Sequence, residues 1–247
     1  LPAWTTPGKV WAPEVAVHAH DRYVMYYTTS HDASGRQCVG VAVASRPEGP
    51  YVDASTKPFI CQDAEGGSID ASPFQDSSGQ RWLYWKNDGN AIGVDTWIYV
   101  SRLSPDGLDL VGDPVRLIKQ DLPWEGKVVE APYLVERNGK FHLFYSGNAY
   151  DKAEYAVGHA LCETPAGPCI KSGDPVLTSS LDAAGPGHNM VLQQNGRYWF
   201  VYHAWDPASV GIVPPGRTMW LSELTWTGDT PIIQPPLKSN RAGPTRL

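Results

Sequence analysis

Three side chains suited to acid–base chemistry recur at almost even spacing in this chain: Asp70 in SIDASPF, Glu130 in VEAPYL and His188 in GPGHN. Trp11, in WAPEV, stands one step earlier in the same series, and the steps run from 11 to 70, 130 and 188. An ionised carboxylate among apolar neighbours costs several kcal/mol unless it is paired or protonated, and Glu130 lies inside the run VVEAPYLV. Two acidic groups facing one another across a cavity suit cleavage of a glycosidic bond: one protonates the leaving oxygen while another activates water or attacks the sugar. Glu130 is the better proton donor of the two, because Val128, Val129, Ala131 and Pro132 desolvate it. Asp70, flanked by Ser68 and Ser72, is placed to stay charged and to orient it.

For these residues to meet, the segments that carry them must repeat in space as they do in sequence. Four stretches share one plan: WAPEVAVHAHDRYVMYYTTS, DASPFQDSSGQRWLYWKN, EAPYLVERNGKFHLFYSGN and HNMVLQQNGRYWFVYHAW. Each starts with a short apolar strand, turns through polar residues such as DSSGQ, ERNGK or QQNGR, and enters an aromatic-rich strand, which is a β-hairpin pattern. A third strand follows in CVGVAVAS, TWIYVSRL, YAVGHALC and TMWLSELT. A period near sixty residues with three or four strands per repeat predicts the blades of a β-propeller, each blade's first strand lying closest to the axis. Trp11, Asp70, Glu130 and His188 are then symmetry-related and meet at one mouth of the axial channel. A β-sandwich that mimics the period is the alternative, and it gives them no common meeting point.

Composition agrees with an all-β domain. Helical periodicity is nearly absent, and 24 Gly with 22 Pro cut the 247 residues into short pieces. The net charge of −6 is spread without a Lys/Arg run, which excludes an electrostatic footprint for nucleic acid or an anionic membrane and favours a neutral substrate. No apolar stretch approaches the roughly 20 residues of a membrane-spanning helix. Ten Trp and twelve Tyr supply flat faces for sheet packing and for stacking on sugar rings. Four cysteines allow three pairings; Cys162 with Cys169 and Cys38 with Cys61 is one of them, consistent with an oxidising compartment and a secreted protein, and free thiols are the alternative.

WAPEV, SIDASPF, VEAPYL and GPGHN, in this order and at these intervals, resemble glycoside hydrolase family 43 over about Val10 to Glu223. The resemblance implies a five-bladed β-propeller, with four blades legible and the N-terminal blade missing or incomplete, forming a single catalytic domain over residues 1–247. It further implies inverting hydrolysis that removes α-L-arabinofuranosyl or β-D-xylosyl units from plant cell-wall polysaccharides. Glu130 matches the general acid, Asp70 the carboxylate that tunes and positions it, and Arg217 a substrate-contacting arginine. His188 matches a residue beside a central hydrated ion, often calcium; no cofactor is required for the chemistry. The family's general base, in an Asp-Pro strand before WAPEV, has no match, and Asp21 in HAHDRY is a surface turn residue. Either a separate N-terminal segment supplies the base, or the chain is a catalytically incomplete carbohydrate-binding propeller; endo-arabinanase action is a further alternative.

Around this centre, Trp11 either stacks on a sugar or packs in the core, and Trp124 in QDLPWEG is the stacking candidate on a loop at the active face. Glu125 reads as a solvated loop charge and His203 as a structural histidine. Lys86, Asn87 and Asp88 in YWKNDGN line the pocket or form a turn, with the turn favoured for Asp88. Gly185, Pro186 and Gly187 do not make a phosphate loop, since no helix follows them; they let the backbone turn tightly into its strand.

Overall fold

A computed structural model describes residues 1–19 and 21–236. Among them fifteen strands form four antiparallel sheets, each a simple meander in chain order. The first sheet holds β1 (Trp11–Ala19), β2 (Arg22–Ser30) and β3 (Gln37–Ala44). The second holds β4 (Ser68–Gln75), β5 (Arg81–Asn87), β6 (Trp97–Leu103) and β7 (Leu110–Lys119). In the third are β8 (Val129–Arg137), β9 (Lys140–Gly147), β10 (Ala156–Cys162) and β11 (Cys169–Lys171). The fourth comprises β12 (Ala184–Gln194), β13 (Arg197–Trp205), β14 (Thr218–Thr227) and β15 (Thr230–Ile233). First strands pack on one another in succession, β1 on β4, β4 on β8 and β8 on β12, so the sheets are four blades of a β-propeller. No helix among the described residues is long and apolar enough to cross a membrane.

The turns form where the sequence puts them. Asn138-Gly139 and Asn195-Gly196 each join strands through two residues with positive φ, the left-handed pair that a two-residue hairpin needs. In the second sheet Asp76 Oδ1 instead accepts the backbone N–H groups of Ser78 and Gln80, closing the DSSGQ turn.

Every first strand is kinked at the same depth by a bulge. Pairing with the second strand skips between Trp11 and Glu14, Ile69 and Ser72, Glu130 and Tyr133, and Gly187 and Met190. The first residue of each bulge is left-handed: Ala12 (φ 43°), Asp70 (57°), Ala131 (50°) and His188 (49°). This corrects the register expected from sequence. Trp11 and Glu130 share a position with Ile69 and Gly187, whereas Asp70 and His188 lie one residue further on, level with Ala12 and Ala131. Left-handed backbone costs a non-glycine residue roughly 1–2 kcal/mol. At three of the four bulges that residue's N–H is bound by the preceding sheet: Asp70 N donates to Thr28 Oγ1 (3.3 Å), Ala131 N to Asp70 Oδ2 (3.0 Å) and His188 N to Ser146 Oγ (2.8 Å).

Aromatic and branched residues fill the gaps between successive sheets. Trp85, Tyr26 and Leu83 lie between the first and second, Tyr84, Leu143 and Tyr145 between the second and third, and Phe144, Phe200 and Tyr202 between the third and fourth. Tyr84 and Trp85 therefore serve opposite faces of one strand. Tyr26 and Tyr84 occupy equivalent places and end alike, donating to Gly107 O (2.8 Å) and Pro165 O (2.6 Å) in the outer turns of the following sheet. Apolar side chains stay exposed at the two ends of the series: Val15 and Val17 on β1, Leu192, Met219 and Leu221 on the fourth sheet.

The cysteines pair as Cys38–Cys61 and Cys162–Cys169, closing separations of 23 and 7 residues. Loop-closure entropy gives the longer one about 3 kcal/mol and the shorter about 2. Chemical unfolding of Cys→Ser pairs is expected to show the larger loss for Cys38/Cys61; equal losses would contradict the assignment to chain entropy.

Candidate active site

Asp70 is buried at the second bulge, and its Oδ2 accepts the N–H of Ala131, the residue next to Glu130. The flanking serines are not its partners: Ser68 Oγ donates to Gln62 Oε1. Burial pushes the Asp70 carboxyl above its usual range and nearby Glu130 pushes the same way, while His188, Lys86 and the Ala131 amide oppose them. The expectation that Asp70 is set apart by a polar, charge-retaining environment is thus corrected, because burial is the largest influence on it.

Glu130 is apolar in its sequence surroundings and polar in its spatial ones. Val129 and Ala131 enter the buried interior, whereas the Glu130 carboxyl, 13% exposed, is held at both oxygens. Tyr155 donates its phenol to Oε1 at 2.7 Å, and the Lys86 ammonium reaches Oε2 at 3.2 Å. Lys86 is fully buried and also donates to Asn90 Oδ1 (2.6 Å), with Asp88 Oδ1 at 3.6 Å. Lys86 and Asn87 end β5 and Asp88 opens the turn that follows, as expected for Asp88, and the charged pair Lys86 and Asp88 is buried in the site.

From Tyr155 a line of contacts runs outward. Its ring stacks on His203 (centroids 5.8 Å, 2° between planes), and His203 lies 6.2 Å from the His188 ring. Arg217 Nη1 donates to His203 Nε2 at 2.9 Å, and its guanidinium sits over Tyr150 at 4.8 Å. Burial, with Arg217 and His188 acting in the same direction, lowers the His203 pKa to about 3, so the ring is the neutral acceptor that Arg217 requires. Arg217 and Tyr150 are both exposed at the outer end of this line.

Gly187 makes the arrangement possible. A Cβ there would stand 2.0 Å from Tyr155 Cε1, so the phenol occupies space that only glycine leaves. Gly187→Ala is expected to displace Tyr155, lower stability by about 2 kcal/mol and loosen Glu130. Thermal melting and a crystal structure check it; an unmoved Tyr155 ring would refute it.

The aromatic candidates separate. Trp11 shares the register of Glu130 and is 44% exposed, leaving its face open. Trp124 is laid on Tyr145 (5.8 Å, 28°) and donates to Gly173 O (2.8 Å), packed over Gly147 and Gly158 of the third sheet. One face of its indole is thus taken by the protein, and the side chain stays half-buried. Glu125 is not solvated: it is fully buried, bound by Lys171 at 2.6 Å, Tyr145 at 2.7 Å and the N–H groups of Asp121 and Leu122.

Glu14 belongs to the same site although it lies outside the series of Trp11, Asp70, Glu130 and His188. It follows the first bulge, and burial raises its pKa to about 7, with His188 opposing and Asp70 adding to the rise. Glu14, Asp70 and His188 therefore share one electrostatic environment on the axis. Calcium takes six to eight oxygens, waters among them, and here the Glu14 and Asp70 carboxylates would be its protein oxygens, with His188 beside them. The one tight group of His, Cys and Asp among the described residues, His31, Cys38, Cys61 and Asp63, has both sulfurs joined in a disulfide.

Fold and site define a β-propeller with an acid–base cluster on its axis. The profile of the Glycosyl hydrolases family 43 matches residues 2–231, and the chain belongs to that family. It is 30% identical over 213 residues to a beta-D-galactofuranosidase, xynD, of Aspergillus niger, covering 81% of this chain and 58% of that protein. It is 29% identical over 215 residues to an extracellular exo-alpha-(1->5)-L-arabinofuranosidase of Streptomyces chartreusis, covering 82% and 65%. The chain thus spans less than two thirds of the length of these relatives. A thermostable family-43 glycoside hydrolase of known structure superimposes with a TM-score of 0.85 at 31% identity, covering 99% of this chain and 80% of that one.

Proposed function

We propose that the chain is the core of an inverting glycosidase that removes furanosyl units, α-L-arabinofuranose first, from plant cell-wall polysaccharides or their oligosaccharides. The observation that carries this reading is the Glu130 carboxyl, fixed at both oxygens and coupled through the Ala131 amide to Asp70. Glu130 would protonate the departing glycosidic oxygen. Asp70 would keep the backbone beside it in place through its bond to the Ala131 amide. Trp11 offers a face to the sugar, and Arg217 with Tyr150 lines the entrance; His188 contacts substrate or a hydrated ion. Inversion also requires a water-activating carboxylate about 6.5–9.5 Å from the acid, a role assigned to no residue of the four sheets.

Names of relatives support the furanose preference, since a galactofuranosidase and an arabinofuranosidase both act on five-membered sugar rings. Two disulfides and an extracellular relative support secretion. The test is hydrolysis of 4-nitrophenyl α-L-arabinofuranoside, β-D-galactofuranoside and β-D-xylopyranoside, with proton NMR of the first sugar released. Fastest turnover on the arabinofuranoside with inverted configuration is expected. Retained configuration would sink the inverting reading. Cuts within linear arabinan would make the enzyme an endo-arabinanase. Binding of arabino-oligosaccharides without turnover would make it a carbohydrate-binding propeller, the second reading.

A further inference from the structure

The second strands of the four sheets place Thr28, Lys86, Ser146 and His203 at one equivalent position, opposite Trp11, Ile69, Glu130 and Gly187. In the first and third sheets the residue there is a hydroxyl that accepts the N–H of the next bulge. An ammonium has no lone pair and cannot do so. At Lys86 the repeated device is therefore broken, and the orphaned Ala131 N–H is taken by the Asp70 carboxylate instead. A Ser or Thr would have completed the pattern, and burying a hydroxyl costs far less than burying an ammonium. Fold maintenance alone does not account for a fully buried lysine at this position.

We propose that Lys86 is a positioning residue for Glu130, its buried ammonium fixing Oε2 and Asp88 and Asn90 holding that ammonium in place. The inference rests on the reading of Glu130 as the proton donor. Tyr155 and Lys86 hold opposite oxygens of the carboxyl, but they differ chemically. A phenol oxygen can accept a hydrogen bond as well as donate one, and an ammonium can only donate. When Glu130 carries its proton, Lys86 keeps that proton off the lone pair facing it and leaves it to the Tyr155 side or to the channel. The ammonium then retains Asn90 at 2.6 Å and Asp88 at 3.6 Å, so its charge is not stranded.

The turn around these partners is built to stay still. Asn87 Oδ1 accepts Trp97 N at 2.6 Å, its Nδ2 donates to Asp95 O at 2.9 Å, and a Cβ on Gly89 would stand 2.3 Å from Asp95 O.

The test compares Lys86→Met, Lys86→Gln and Glu130→Gln in the full chain on two arabinofuranosides, one with a methyl and one with a 2,4-dinitrophenyl leaving group. A misplaced proton donor harms only the leaving group that needs a proton. Lys86→Met is expected to lose about 100-fold in kcat on the methyl glycoside and less than about tenfold on the dinitrophenyl one, with little change in KM. Lys86→Gln, which can still donate a hydrogen bond, should recover part of the loss. Equal losses on both substrates, or none, would overturn the proposal while Glu130→Gln keeps its selective defect. If Glu130→Gln shows no such selectivity, the donor reading itself falls. A crystal structure of Lys86→Met supplies a readout independent of turnover: Glu130 is expected to shift from its place beside Tyr155, and an unmoved carboxyl would overturn the positioning role.

Discussion

Glu130→Gln is expected to slow hydrolysis of a glycoside with a poor leaving group by roughly 10³-fold, about 4 kcal/mol of transition-state stabilisation, while leaving the fold intact. The amide keeps the shape of the carboxyl. Its oxygen can still accept from Lys86, and its nitrogen can still meet the Tyr155 oxygen, so both anchors keep a partner. What it lacks is a transferable proton. Because that proton is needed only as the bond breaks, the deficit should fall on kcat, with KM changing by no more than about threefold. Steady-state kinetics on methyl and nitrophenyl arabinofuranosides and a thermal melt decide the matter. A variant retaining more than about a tenth of the activity on the methyl glycoside would remove Glu130 from the acid role.

The second large effect is on stability. His142 and His159 are both buried, with His142 Nδ1 and His159 Nε2 3.0 Å apart and His159 Nδ1 2.7 Å from Ser172 Oγ. One ring must donate to the other, which suits two neutral imidazoles. Burial lowers both pKa values to about 4, and for His159 the charge of His142 adds to the fall. A histidine whose pKa is depressed by folding stabilises the native state fully above its unfolded value near 6.5 and progressively less as pH falls toward 4. The pair is therefore expected to remove on the order of 5 kcal/mol between pH 7 and pH 4, a large part of a typical domain's stability. Urea unfolding across that range measures it. The double variant His142→Gln/His159→Gln should flatten the dependence, and an equally steep loss in that variant would place the acid sensitivity elsewhere.

Much of the architecture could be read from the chain because it is written four times. The Asn-Gly hairpins, the aromatic second strands and the near-sixty-residue period are local signals, and each became the element it predicted. The depth of the bulge was not legible. Aligning DASPF with EAPYL by their acidic residues puts Asp70 level with Glu130, yet the backbone sets Asp70 level with Ala131, because strand pairing and left-handed φ fix the register rather than residue type.

Asp70, Glu130 and His188 still converge, since a bulge presents neighbouring residues to the same channel. The partners of Glu130 were harder to foresee. Lys86 ends a strand in a KNDGN string that suits a pocket lining or a turn equally, and Tyr155 lies on a link between strands. Each is recruited by a contact across 44 or 25 residues that no local pattern announces. Glu14 had a signal, a carboxylate in an otherwise apolar alternating strand, and the Ala12–Pro13 bulge hides its phase. Glu125 departs from its expectation because a loop in sequence is not a loop in solvent: Lys171 pairs with the carboxylate inside the protein, beside the seat that Gly147 and Gly158 make for the Trp124 indole.

The ties at the kinks all point one way along the chain. Thr28 completes the kink at Asp70, Asp70 the one at Ala131, and Ser146 the one at His188; none borrows from a later residue. During synthesis, which releases the N-terminal end first, each new sheet thus finds its anchor already outside the ribosome. The molecule can be laid down like courses of masonry, every layer resting on one already set.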